Sequence, residues 1–570
     1  MTFQPSSAPR ATLLCAAAAA LLAACGGSDD DPPLLPQLTA ALPARMNGSC
    51  TELGARLVNL PNTTITAVSN VPAGTVANQP VREHCLVTGR MFDRVSTVDG
   101  AGYAIRFEMR LPIDWNGRFM HQGNGGIDGN VVPALGPTGG GGPLTNALHQ
   151  GFAVLSSDAG HPGAMGPNFG IDPQARLDYG YQAVAKLTPM AKSVIGAAYS
   201  KGPDRSYFAG CSNGGRHAMV AATRYANEYD GILAGAPGYN LPKAALANMA
   251  SGQLYNTVAT TPGNLSTAWT APERTLVANA VLGRCDALDG ASDGIVQDVQ
   301  ACRTAFDIRR DVPTCTGARD GTCLTGAQKD VLATIFAGPK TSSGTTIYSS
   351  FPFDAGWSQQ GNAFWEFTAP LALDSGAVGI IFKVPPENPT GFNGPQFALT
   401  ANIDALYQQL FATDALYTES SMSFMTPPNP TDMGALRSRG GKIIAYHGVS
   451  DPIFSVDDTE AWYKGLTAAN GGQASDFARF FRVPGMGHCA GGPATDQFDA
   501  LSALVAWVEQ GVAPARIVAS ARGAGNAGGV NNEVPANWSP NRTRPLCPYP
   551  LVARYSGSGD VESAASWACQ

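Results

Sequence analysis

The segment Gly210-Cys211-Ser212-Asn213-Gly214 holds one hydroxyl between two glycines at the spacing Gly-x-Ser-x-Gly. This is the spacing of a turn in which a strand runs straight into a helix. The serine hydroxyl then projects above the sheet, and the glycines let neighbouring backbone come close. In a chain with 66 glycines the pattern alone says little. Its context says more, because Ser206 to Ala209 reads as a strand before it and helical periodicity runs from Arg216 to Tyr229 after it.

A serine hydroxyl attacks a carbonyl only when a base removes its proton. In folds with this turn the partners follow in the order serine, acid, histidine. Only His447 and His488 lie beyond position 217. His488 sits in Pro484-Gly485-Met486-Gly487-His488-Cys489, after a strand ending at Val483, and His447 ends the strand before Gly448-Val449-Ser450-Asp451. Chain order therefore makes His488 the base and Asp451 the carboxylate that holds its tautomer. His447 reads as a hydrogen-bonded structural residue beside the site. The oxyanion of an acyl-transfer intermediate needs N–H donors, one from Asn213 and one from the loop Gly123-Asn124-Gly125-Gly126. Gly126 is the expected donor with Gly125 beside it, although the same glycines would also serve a plain turn.

These loops need a sheet to hold them. Tyr103 to Leu111, Arg118 to His121, Phe152 to Ser156 and Ile232 to Ala234 read as further strands. In a second region Lys442 to Tyr446 and Phe477 to Val483 read as strands, Val456 to Leu466 and Gln497 to Glu509 as helices. Strands alternating with helices predict an α/β class protein with a parallel-dominated sheet, the α/β-hydrolase core, over residues 45–239 and 436–570. Between them, over 240–435, the alternation breaks down into a segment with four cysteines, Trp357 and Trp365. An insertion of this size is expected to form a lid domain over the site.

At 570 residues the chain exceeds the size of one ordinary core. Its net charge of −7 and the lack of any Lys/Arg-rich run speak against nucleic-acid binding. Arg10 precedes an apolar run from Ala11 to Ala24, too short to span a bilayer, which reads as an export signal over residues 1–25. Leu22-Ala23-Ala24-Cys25 has the form of a bacterial lipobox, making Cys25 a lipidated first residue and residues 26–44 a flexible tether. The only expected membrane contact is that anchor, to the outer membrane; ordinary signal cleavage beside Cys25 would instead leave a periplasmic or secreted protein. Ten cysteines remain: Cys50, Cys85, Cys211, Cys285, Cys302, Cys315, Cys323, Cys489, Cys547 and Cys569. An even number in an exported chain reads as disulfides, without saying which pairs form. The stretch Cys285 to Ile295 spaces Asp286, Asp289 and Asp293 with glycines. Hard oxygens on a turning backbone suit calcium, yet from spacing alone an acidic turn is the simpler reading.

The pairs Cys211-Ser212 and His488-Cys489 resemble the signature of the tannase and feruloyl esterase family, in which a disulfide ties nucleophile to base. The resemblance runs from about Cys50 to the C-terminus. Within the family it is nearest to mono(2-hydroxyethyl) terephthalate hydrolases. It includes Asp114-Trp115-Asn116-Gly117-Arg118-Phe119, Gly235-Ala236-Pro237-Gly238-Tyr239 and Arg544-Pro545-Leu546-Cys547-Pro548. It implies a Cys211–Cys489 bridge, together with Cys50–Cys85, Cys285–Cys302, Cys315–Cys323 and Cys547–Cys569. It also implies a structural calcium ion in the lid held by Asp286, Asp289 and Asp293 with the carbonyls of Ala291 and Ile295. The implied substrates are esters of aromatic acids, with Trp365 and Phe454 resembling pocket residues. Terephthalate half-ester hydrolases grip the free carboxylate with a lid arginine. Here no arginine occurs between Arg319 and Arg437, and Lys383 lacks the planar fork.

The expectation is therefore a serine-dependent hydrolase of aromatic carboxylic esters. The alternative is a tethered calcium-binding protein that kept the fold and lost the reaction, against which the complete Ser/Asp/His set argues. The lipobox reading makes one sharp statement. Cys25→Ser should abolish membrane association on cell fractionation, and an unchanged membrane fraction would remove the anchor from the account.

Overall fold

Short runs rich in β-branched and aromatic residues, each closed by a glycine or a turn, supply the strands of the central sheet. In the computed structural model, which describes residues 35–570, these are β1 (Thr63–Val71), β2 (His84–Val95), β3 (Gly102–Pro112), β4 (Arg118–Gly123), β5 (Ala153–Ser157), β6 (Arg205–Cys211), β7 (Gly231–Gly235), β8 (Lys442–Gly448) and β9 (Ala478–Val483). They form one nine-stranded sheet in the order β9-β8-β7-β6-β4-β5-β3-β2-β1. From β9 to β5 every pairing is parallel. From β5 through β3 and β2 to β1 every pairing is antiparallel. This is the α/β-hydrolase core, and its sheet is mixed: the sequence reading missed β1 and β2, which precede the first recognisable strand–helix alternation.

The helices follow the apolar pattern. In chain order they include α1 (Ala183–Tyr199), α2 (Asn213–Arg224), α3 (Leu241–Val258), α4 (Ala271–Cys285), α5 (Gly326–Phe336), α6 (Gln360–Phe367), α7 (Val456–Ala469) and α8 (Ala500–Gln510). Helix α2 begins immediately after Ser212 and ends at Arg224, five residues short of the expected end at Tyr229. Helix α8 begins at Ala500, not Gln497, because the Asp499 side chain accepts from the Ser502 N–H and fixes the start there.

Segment 240–435 contributes no strand to the central sheet among the described residues. Its helices carry an apolar cluster of their own, with Tyr255, Trp269, Phe336 and Trp357. A second cluster joins lid residues Leu241, Ala245 and Phe382 to Ile453 and Phe454 of the loop after β8. The segment and the sheet thus share buried apolar surface, and residues 35–570 form one compact unit.

The proposed signal and Cys25 lie outside the described residues. The tether expectation needs correction where it is described. The Ala41 N–H donates to the buried Glu509 carboxylate at 2.9 Å, the Leu42 N–H donates to Asp204 at 2.8 Å, and Ala44–Arg45 pairs with Asp114–Trp115. Composition suggested a flexible linker over residues 26–44; of its described part, Ala41 and Leu42 are docked by backbone hydrogen bonds to fixed carboxylates. Among the described residues no helix is long and apolar enough to cross a membrane.

Candidate active site

The strand-to-helix turn between β6 and α2 puts Ser212 at φ +66°, ψ −128°, a region that side chains rarely enter. Three main-chain bonds over-determine it: the Ser212 N–H donates to the Gly235 carbonyl (3.0 Å), while the Ser212 carbonyl accepts from Arg216 (3.0 Å) and Gly238 (3.4 Å). The glycines are required by crowding. A Cβ on Gly210 would lie 2.6 Å from the Gly214 carbonyl carbon and 2.7 Å from the Gly123 oxygen, and one on Gly214 would overlap the same Gly123 carbonyl. The elbow and the β4 loop are therefore pressed together at a distance only glycine permits.

His488 reaches this turn from the loop after β9. Its Nε2 lies 2.8 Å from Ser212 Oγ and its Nδ1 lies 2.7 Å from Asp451 Oδ2. An ionised carboxylate can only accept, so Nδ1 carries the proton and Nε2 keeps its lone pair for the serine hydroxyl. Burial alone would raise the Asp451 carboxyl, but the neighbouring imidazoles of His488 and His447 outweigh it and hold the group well below the usual carboxylate range. Asp451 Oδ1 also accepts from the Ile453 and Phe454 N–H groups at 3.0 and 3.1 Å. His447 is fully buried; its Nδ1 meets Thr459 Oγ1 (2.8 Å) and its Nε2 lies 2.9 Å from the Phe454 carbonyl. It braces the acid loop and does not touch Ser212.

The two loops are bonded covalently beside the reactive atoms, since Cys211 pairs with Cys489. Cys50–Cys85, Cys285–Cys302, Cys315–Cys323 and Cys547–Cys569 complete the set, the pairs the family resemblance implied. Gly448 brings the acid and base loops together, because a side chain there would strike the Met486 and Gly487 carbonyls.

The expected oxyanion donors flank the serine. Neither the Asn213 nor the Gly126 N–H donates to a main-chain acceptor among the described residues, and both residues line the pocket over Ser212. Sequence reading missed the residues that hold them. Asp128 accepts from Asn213 Nδ2 at 2.7 Å and lies 2.9 Å from His217 Nε2, and burial pushes its carboxyl up to about 7. Asn124 Nδ2 donates to the Ser157 carbonyl at 2.8 Å and to Ser156 Oγ at 3.0 Å, pinning the glycine loop to β5. Gly125 packs against the Ser212 side chain, yet it opens onto the groove behind Cys211 and not onto the pocket.

That pocket is walled by Ile127, Tyr179, Leu241, Ala245, Trp365, Leu373, Asp374, Ala377, Ile453 and Phe454. Trp365 and Phe454 meet the His488 imidazole edge to face, with ring centroids 5.0 and 5.4 Å away. One aromatic comes from the lid and the other from the acid loop. No lysine or arginine lines the pocket; Lys383 is paired with Glu387 at 2.5 Å.

The acidic lid loop is ordered by its own backbone. Asp286 accepts from the Asp293 and Gly294 N–H groups, Asp289 from Ala291 and Gln297, and Asp293 pairs with Arg544. Among the described residues, no three His, Cys, Asp or Glu side chains are grouped closely enough to hold a metal as placed.

A family model described as tannase and feruloyl esterase matches residues 85–570. The chain belongs to this family. It is 39% identical over 544 residues to a mono(2-hydroxyethyl) terephthalate hydrolase of Piscinibacter sakaiensis, covering 89% of this chain and 88% of that one. It is 28% identical over 567 residues to a probable feruloyl esterase B-2 of Aspergillus fumigatus, covering 94% and 99%. Among solved structures, feruloyl esterase B from Aspergillus oryzae matches with a TM-score of 0.72 at 26% identity, covering 91% of this chain and 99% of that one. The chain is a carboxylic ester hydrolase.

Asp451→Asn keeps an acceptor for Ile453 and Phe454 but offers His488 an N–H, so kcat should fall by about 10⁴ while the fold survives. Steady-state hydrolysis of an activated ester measures this, and a loss below tenfold would remove Asp451 from its role.

Proposed function

We propose that this protein hydrolyses esters of aromatic carboxylic acids through an acyl-enzyme on Ser212. The ester carbonyl enters the pocket between Trp365 and Phe454. Ser212 Oγ attacks it as His488 Nε2 takes the hydroxyl proton. The oxyanion lies between the Gly126 and Asn213 N–H groups, and the imidazolium returns its proton to the departing alkoxide. A water deprotonated by the same imidazole then releases the acid. The observation that carries this reading is the unbroken hydrogen-bonded path from Asp451 through His488 to Ser212 at the floor of an aromatic-walled pocket.

A substrate bearing a free carboxylate is disfavoured, because nothing cationic lines the pocket to receive it. A fluorophosphonate probe should label the protein, and Ser212→Ala should abolish both labelling and hydrolysis. Among methyl ferulate, methyl gallate and mono(2-hydroxyethyl) terephthalate, kcat/KM should be lower for the half-ester by on the order of tenfold. Equal or better use of the half-ester would overturn the substrate reading, and persistent labelling of Ser212→Ala would overturn the mechanism.

We also infer export, supported by the five disulfides, and a structural calcium ion in the loop from Asp286 to Ile295. The donors suit a hard cation. Burial, then the charge of its acidic neighbours, pushes Asp289 up to about 7 and raises Asp286 as well, even against backbone hydrogen bonds. The Ala291 and Ile295 carbonyls accept no main-chain hydrogen bond among the described residues. The ion would replace mutual repulsion with shared attraction and stiffen the lid beside Cys285–Cys302. Calcium added after chelation should raise the melting temperature by a few degrees, whereas magnesium should do less; identical melting curves with and without calcium would refute the site.

A further inference from the structure

The pocket over Ser212 is apolar along most of its wall, and Asp374 interrupts it. Asp374 ends the turn Pro370–Asp374 of the lid and is only 4% exposed. Other buried carboxylates are bonded through at least one oxygen: Glu509 by Arg118 and Tyr207, Asp172 by Arg94, Asp496 by Arg522. Even Asp354 and Glu366, which each leave one oxygen unpartnered, are bonded by Ser450 and Trp357. Asp374 has no such bond. Its Oδ2 is sealed from solvent, and the buried Asn248 amide lies beside it without completing a well-formed hydrogen bond. Burial pushes the carboxyl up to about 8, with only the Asn248 amide acting against it. A buried polar group left unmatched is costly, and a binding pocket is where a ligand can complete it.

We propose that Asp374 sets acyl specificity: its carboxyl hydrogen-bonds a hydroxyl on the aromatic ring of the substrate's acid and rejects a ring that carries a carboxylate. The assignment rests on the aromatic-ester reading above and goes further by naming the ring substituent and the residue that selects it. A protonated carboxyl both donates and accepts, so it matches a phenolic hydroxyl, which does the same. A ring carboxylate would place a second acidic group against Asp374 in a pocket that no lysine or arginine lines, and one of the two would have to be neutralised. The size of the selection follows from the same asymmetry. A ring with no hydroxyl fills the pocket but leaves the buried carboxyl unmatched.

The test compares kcat/KM for methyl 3- and 4-hydroxycinnamate, methyl cinnamate and mono(2-hydroxyethyl) terephthalate. The wild-type protein should favour the better hydroxycinnamate over cinnamate by roughly tenfold or more. Asp374→Ala should bring that ratio to near one by losing rate on the hydroxylated ester alone. Asp374→Asn, which is nearly isosteric and cannot ionise, should keep part of the preference and raise the rate on the half-ester several-fold. It carries the test if the alanine variant does not fold. A wild-type ratio near one, or equal losses on cinnamate and hydroxycinnamate, overturns the assignment. Fluorophosphonate titration separates the two levels. Protein that takes the probe and cleaves methyl cinnamate without regard to Asp374 loses only this proposal, while protein that neither takes the probe nor cleaves any of the esters loses the esterase reading too.

Discussion

Ser212 and His488 are 276 residues apart in the chain and are held at 2.8 Å in a hydrogen bond, a contact that tolerates an error of a few tenths of an ångström. The sheet does the coarse placement by setting β6, β8 and β9 in register so that their carboxyl ends open on one side. The Cys211–Cys489 bond does the fine placement, joining the residue before Ser212 to the residue after His488. Closing a chain segment of 278 residues removes unfolded-state entropy on the order of 5 kcal/mol at the upper end of what a disulfide contributes. That is ample to offset a strained serine backbone, whose cost is about 1–3 kcal/mol. Crowded glycines at 123, 210, 214 and 448 then leave the loops little room to drift.

Two carboxyl groups near the reactive centre illustrate how surroundings, not residue type, set chemical state. Asp451 is buried but faces two imidazoles and two backbone N–H groups, and stays ionised. Asp374 is buried and faces a single amide, and is pushed toward its neutral form. The first holds the His488 imidazole; the second has hydrogen-bonding capacity to spare. Placing such opposite environments close together is the means by which one pocket holds both charge and neutrality at the same pH.

The parts of this arrangement that were legible in the sequence are those carried by local pattern or chain order. Ser212 stood out by its glycines and flanking elements, while His488 and Asp451 followed from order and the scarcity of histidines. The parallel strands β4 to β9 could be read because each is a short apolar run before a turn. The antiparallel strands β1 and β2 could not, since their alternation is uneven and their partners lie far along the chain. Asp128, Asn124 and Asp374 were invisible for a related reason: each is an ordinary polar residue in a loop or lid turn, made significant only by what folds against it. The docking of residues 37–44 depends likewise on Asp204 and Glu509, which no local window contains.

The reacting atoms come from loops of the sheet, whereas Leu241, Ala245, Trp365, Leu373, Asp374 and Ala377 of the pocket wall come from the inserted segment. Bond-breaking and discrimination are therefore inherited on different stretches of polypeptide. Descendants of such a chain can exchange one diet of esters for another by remodelling the insertion, leaving the machinery beneath it untouched.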